Sequence, residues 1–207
     1  MADLYDMPEE KAPEVTFQSL TCSRAEDIRQ WRNDVLPSLR TPYALTFEQQ
    51  QQWYKDVVCD RSANSRYWAV CVDGNCLGMA GIEHIDWQQG RGEISLLIAP
   101  NRRGKGYGTQ AVTELWRRGF GELRLEVLWG ECYAMNQDAI QFWQQQMCRY
   151  YPLSIGPFSA FIPMARKHEG KWYGAYYFCF DGAIWRKATQ GSTDSLSESV
   201  PRPVTAD

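Results

Sequence analysis

The sequence predicts an α+β fold, a mixed and mostly antiparallel sheet with helices packed against it. Three observations carry that prediction. Segments rich in β-branched and aromatic residues alternate with segments of helical periodicity. Most connections between them are short and carry turn residues. The chain has 207 residues, 44% hydrophobic and 23% charged, which suits one domain with a full core.

The elements follow in order along the chain. Residues 1–14 are polar, contain Pro8 and Pro13, and are expected to form a flexible N-terminal arm. Val15 to Cys22 alternates as a first strand. Ser23 is expected to cap a first helix, with Glu26 completing a capping box. Ile28, Trp31 and Val35 give that helix its apolar face, and Pro37 ends it. Thr46 and Gln49 form a second capping box, before a helix with Trp53, Val57 and Val58 on its apolar side. Arg66–Val72 and Cys76–Ile85 are strands around a hairpin turn at Asp73-Gly74-Asn75. Arg91–Ala99 is a further strand, stopped by Pro100. A glycine-rich loop then opens a helix over Tyr107–Leu123. Val127–Tyr133 is the fifth strand, and Asn136 begins a helix that buries Ala139, Ile140, Phe142, Trp143 and Met147. Residues 150–168, with Pro152, Pro157 and Pro163, are expected to be irregular. Trp172–Trp185 is β-prone with a turn at Asp181-Gly182. From Thr189 the chain is rich in Ser, Thr and Pro, so a single domain is expected over 15–188 and a disordered tail over 189–207.

Composition narrows the function. The net charge is -3 and no run of Lys and Arg stands out, so a nucleic-acid partner is disfavoured. No apolar run approaches a membrane span, and the acidic N-terminus lacks the apolar stretch of a signal peptide. The seven Cys are scattered, with no Cys-x-x-Cys pair; Cys22, Cys59, Cys71 and Cys76 are expected as reduced, partly buried thiols, which points to the cytoplasm. Only two His are present, His84 and His168, so no metal site is expected.

The chemistry is concentrated in Arg102-Arg103-Gly104-Lys105-Gly106-Tyr107-Gly108, between an apolar strand and an amphipathic helix. Bare N–H groups at a helix N-terminus bind anions, and glycines let a diphosphate approach the backbone. Arg103 and Lys105 add charged donors. The spacing is neither the G-x-x-x-x-G-K-[S/T] of a Walker loop nor the G-x-G-x-x-G of a Rossmann fingerprint.

Arg103-Gly104-Lys105-Gly106-Tyr107-Gly108 resembles the acetyl-CoA loop of the GNAT superfamily of N-acetyltransferases, [R/Q]-x-x-G-x-[G/A]. Leu96-Leu97-Ile98-Ala99-Pro100 resembles that family's pantetheine-binding strand, which splays from its neighbour. Asn136-x-x-Ala139-Ile140-x-Phe142-Trp143 resembles its N-x-x-A-[I/L]-x-[L/F]-Y helix, whose Asn contacts the cofactor. The resemblance covers roughly residues 15–150. It implies a GNAT fold, with about six or seven strands flanked by about four helices. It also implies acetyl-CoA as co-substrate, held by Leu96, Leu97, Ile98, Arg103, Gly104, Lys105, Gly106, Tyr107, Gly108, Thr109 and Asn136.

Catalytic groups follow from the same resemblance. Glu93 matches a Glu of the ribosomal-protein-acetylating type and is the candidate base, with Glu83 and His84 as rivals. Trp143 replaces the family's proton-donating Tyr, and indole is no acid at neutral pH. Tyr133 is the candidate replacement; Tyr150, Tyr151 or water are alternatives. Trp31-Arg32-Asn33, followed by Thr46-x-Glu48 and Trp53-Tyr54, resembles the amino-sugar N-acetyltransferases of the pseudaminic-acid pathway, so these three residues are candidates for holding the acceptor. That implies transfer to a small amine, ranked first as a nucleotide-linked amino sugar. A protein N-terminus and a non-catalytic CoA-binding role remain alternatives. An aromatic C-terminal strand would suit a homodimer.

Overall fold

The computed structural model describes residues 13–36, 39, 43–151 and 159–197. The elements are β1 (Thr16–Ser19), α1 (Cys22–Asp34), α2 (Phe47–Trp53), β2 (Arg66–Val72), β3 (Asn75–Asp86), β4 (Arg91–Ile98), α3 (Tyr107–Trp116), β5 (Val127–Tyr133), α4 (Gln137–Tyr150), β6 (Ser159–His168), β7 (Lys171–Asp181) and α5 (Gly182–Ser197). The seven strands make one open sheet in the order β1-β2-β3-β4-β5-β7-β6. Every neighbouring pair is antiparallel except β4 and β5, which run parallel. This is the expected α+β, mixed and mostly antiparallel sheet.

Both faces of the sheet are covered, and β2 shows how. Its side chains alternate with a period of two. Val70 and Val72 enter the larger core with Val112 and Leu115 of α3 and Ile140 and Met147 of α4. Ala69 and Cys71 enter a second core with Ile28 of α1, against which Trp31, Trp53 and Tyr67 pack. The hairpin between β2 and β3 turns at Asp73 (φ 48) and Gly74 (φ 77), the left-handed pair that matches strand twist. Asn75 already belongs to β3.

Helix starts are set by side chains. Thr46 accepts from the Gln49 N–H while the Gln49 side chain accepts from the Thr46 N–H, the capping box expected there. Thr46→Ala removes half of that exchange and should lower stability by about 1 kcal/mol in chemical denaturation, with an unchanged slope. Helix α1 begins two residues earlier than expected: Thr21, not Ser23, is its cap, accepting from the Arg24 N–H. Ser23 lies inside the first turn with its hydroxyl against that of Thr21.

The C-terminal third differs from expectation. Residues 159–168, expected to be irregular, form edge strand β6. Pro163 is tolerated because the β6–β7 register breaks between Ile162 and Arg166, with Met164 at φ 53. Residues 152–158, the rest of that stretch, lie outside the described residues. Instead of a β-turn and further strand, Gly182 begins a fifth helix, anchored to the core by Ile184 and Trp185. It runs to Ser197, so residues 189–197, assigned from composition to a disordered tail, are helical. Residues 198–207 and residues 1–12 of the expected arm lie outside the described residues. Pro13 and Val15 are tied to α3, where the Gln110 side chain donates to the Pro13 carbonyl and accepts from the Val15 N–H.

Candidate active site

Strands β4 and β5 form a fork. They pair only at Arg91–Val127, Gly92–Leu128 and Glu93–Trp129. Beyond Glu93, β4 stays on β3 as far as Ile98, while β5 stays on β7 as far as Tyr133. Among the described residues, no strand lies beside the free edge of β4 beyond Ile94. The Ile98 carbonyl points out of that edge, since it accepts from Arg103 Nε at 3.1 Å. By the two-residue period, the N–H and C=O of Ile94 and Leu96 point the same way. Among the described residues the Leu96 N–H and C=O have no strand partner and face the cleft, whereas the Glu93–Trp129 pairing sets the Ile94 N–H against the Trp129 carbonyl.

The glycine-rich loop closes one end of that cleft. Helices α1, α2 and α4 are each capped by their own side chain: Thr21, Thr46 and Asn136. Helix α3 starts instead at Gly106, with φ 80 and no side-chain cap among the described residues. Its first-turn N–H groups are left for an external acceptor, at the positive end of the helix dipole. Gly104 (φ 74) and Gly106 are required for their backbone conformation, and a Cβ on either would meet nothing within 4 Å. Gly108 is required for space: a Cβ there would lie 3.1 Å from the Phe142 ring of α4. The cleft in front of this loop has a volume of about 550 Å³ and is walled by Leu96–Ile98, Arg102, Arg103, Tyr107–Thr109 and Phe142. Thr109 is held by the buried Gln146, whose amide donates to its hydroxyl. Lys105, expected to bind the cofactor, is exposed and not part of this wall.

A second cleft of about 510 Å³ passes through the fork toward α1 and α2. It meets the first at Leu96, Asn136, Ala139 and Trp143. Trp143 stacks on Phe178 at 4.3 Å and is buried, so it serves as a wall where the family carries an acid. Glu93, the candidate base, lines this second cleft at the crotch of the fork and is only 4% exposed. Its Oε2 is 2.9 Å from His84 Nδ1. That pairing depends on a bulge in β3: the register shifts between Glu83 and Asp86, and His84 has φ 48. A regular strand would send Glu83 and His84 to opposite faces. The His84 side chain is 65% exposed, so the pair links the buried carboxylate to solvent.

The remaining titratable groups divide clearly. Tyr133 lines the cleft; its hydroxyl donates to Glu131 at 3.0 Å and accepts from Arg166 at 2.6 Å. Burial, with the Glu131 charge, raises its pKa, so the phenol keeps its proton at neutral pH. Tyr150 and Tyr151 donate to the carbonyls of Asp181 and Cys179 and do not line either cleft. Cys132 also lines the second cleft, and burial pushes its thiol up to about 11. A neutral thiol is a poor nucleophile, which disfavours an acyl-cysteine route.

Trp31, Arg32 and Asn33 do not act together. Trp31 packs on the core beneath α1. The Asn33 amide bridges the Leu45 backbone, donating to its carbonyl and accepting from its N–H, both at 3.0 Å. Only Arg32 lines the second cleft. Neighbours along a helix differ by about 100° in direction, so three consecutive residues cannot share one face. Asn136 lines both clefts, and its side chain also caps α4 by accepting from the Ala139 N–H. Among residues the sequence did not single out, Glu131 and Tyr67 line the second cleft. Glu131 was discoverable, because it shares a strand face with Tyr133 two residues on.

Comparison with known proteins agrees with this architecture. Residues 6–145 match the family model described as "Acetyltransferase (GNAT) domain". No curated protein matches in sequence. Among solved structures, mutant forms of the spermidine/spermine N-acetyltransferase SpeG from Vibrio cholerae superimpose with a TM-score of 0.70 at 16% identity, covering 85% of this chain and 98% of that one. A dodecameric spermidine N-acetyltransferase from Vibrio cholerae in an intermediate state gives 0.69 at 15% identity, with 85% and 98% coverage. SpeG from the same organism in complex with manganese ions gives 0.68 at 15%, with 85% and 97% coverage. At such identities the likeness is one of fold.

Proposed function

The chain belongs to the GNAT acetyltransferase family, and from that premise we propose that it acetylates the primary amine of a small molecule by direct attack on acetyl-CoA. The observation that carries this reading is the buried Glu93 at the crotch of an open fork, where the two clefts join. Acetyl-CoA supplies an activated thioester carbonyl. Its pyrophosphate would be held by the first-turn N–H groups of α3 with Arg102 and Arg103, and its pantetheine amides by the free edge of β4. Lys105 and Ile98 contribute less in this reading. Lys105 faces solvent, and the Ile98 carbonyl is already taken by Arg103.

An ammonium must lose a proton before it can attack. Glu93 takes that proton, and the exposed His84 passes it to water. Tyr133 holds a proton for the departing thiolate, and Arg166 stabilises the phenolate left behind. Thiols have a reference pKa near 8.5, so this acid assists without being obligatory. A base already poised in the acceptor cleft favours catalysis over a CoA-binding role without turnover. A nucleotide-linked amino sugar is one acceptor of fitting chemistry.

The test follows free thiol release from acetyl-CoA across amino sugars, amino acids, polyamines and peptides with free N-termini. Turnover with at least one small amine is expected. Tight acetyl-CoA binding without turnover on any amine would replace the reading with a binding role.

A further inference from the structure

The acceptor cleft carries its charges on separate walls. Its floor presents three carboxylates, Glu83, Glu93 and Glu131. Each meets a neutral or titratable donor from the protein: Tyr67 faces Glu83, His84 bonds Glu93 and Tyr133 bonds Glu131. The α1 part of the lining presents Arg32. Its Nη1 is shut off from solvent and has no hydrogen-bond partner among the described residues. No described carboxylate lies within ion-pair distance of it, and the nearby polar group that acts on it is Tyr43. Burial lowers its pKa from the usual guanidinium value, yet arginine stays charged at any pH the protein meets.

An uncompensated cation beside a cleft is costly in the free protein. It also gives the cleft a charged donor for a carboxylate or phosphate. We infer that the acceptor is a small zwitterion, a primary amine that also bears a carboxylate or phosphate, with its amine toward Glu93 and its anionic group on Arg32. The inference rests on the acetyltransferase reading and deepens it. A polycation could meet the carboxylates but would bring no anion to Arg32. A neutral amine would leave the guanidinium as it is in the free protein.

Matched pairs test it: an amino acid against its amide for the carboxylate, and glucosamine 6-phosphate against glucosamine for the phosphate, with spermidine as the polycation. Binding to the protein with CoA is measured by calorimetry, and turnover by thiol release. One anionic member should bind at least about tenfold tighter than its neutral counterpart, the scale of one charge-assisted contact. The arm in which this happens names the anion. Arg32→Met should abolish that preference while leaving the KM for acetyl-CoA unchanged, and Arg32→Lys should restore part of it. Because Met removes a half-buried charge whose Nη1 has no partner among the described residues, the ligand-free variant should melt no lower than the parent. Equal binding within both pairs, tighter binding of spermidine, or a lower melting temperature for Arg32→Met would each overturn the inference. These binding outcomes stand whether or not turnover occurs, so failure of the acetyltransferase reading is separately visible.

Discussion

Glu93→Gln is expected to lower kcat/KM by about 100-fold near neutral pH, the lower end of what a positioned base contributes. The substitution keeps the size of a side chain that is 4% exposed and neighbours His84, so stability should change little. The pH profile is the sharper readout. An alkyl amine with a pKa near 10 is neutral in only about one molecule in a thousand at pH 7, and that fraction rises about tenfold per pH unit. Without a base in the protein, the variant must wait for free amine. Its rate should climb with that slope, and its deficit should be largest at low pH and shrink as pH rises. A variant profile parallel to that of the parent would remove Glu93 from the role and transfer attention to Glu83, which lines the same cleft.

Gly106→Asp should raise the Kd for acetyl-CoA by at least about 100-fold. Two effects add. Position 106 has φ 80, where an L residue costs about 1 kcal/mol. A carboxylate there would also face the diphosphate across the mouth of α3, and at a few ångströms such repulsion is worth about 2–3 kcal/mol even at an effective dielectric near 20. Gly106→Ala separates the two, since it carries the backbone strain without the charge. It should cost about tenfold at most. Calorimetric titration of both variants with acetyl-CoA reads the difference. Equal affinity for Gly106→Asp and the parent would mean that the N-terminus of α3 does not hold the phosphates.

The glycine-rich half of the candidate site was legible because its requirements are local. Positive φ at residues 104 and 106, a helix opening without a capping side chain, and a β-strand just upstream all leave marks within a dozen residues. The second cleft depends on geometry that a linear chain hides. Arg32 lines the cleft while Trp31 and Asn33, its immediate neighbours, turn to the core and to Leu45. The contact between His84 and Glu93 exists because of a bulge, and nothing in Glu83-His84-Ile85 announces one. Edge strand β6 was hidden by Pro163, which argues against a central strand but not against the rim of a sheet. Helix α5 was hidden by Ser and Thr composition; Trp185 packed on Phe120 is what anchors its first turns.

The fork has a thermodynamic side as well. Three residue pairs join the sheet's first four strands to its last three. A molecule bonded along Ile94–Ile98 would act as a surrogate strand, lending the sheet a ladder that the polypeptide does not provide. Local opening should therefore be easiest at this seam in the free protein. The amide of Leu96 should exchange with solvent deuterium faster than those of Met79 or Leu97 on the paired side, and slow on saturation with acetyl-CoA. Donor binding would then be read as protection of the fold itself, with a rise in unfolding free energy that follows the logarithm of ligand concentration.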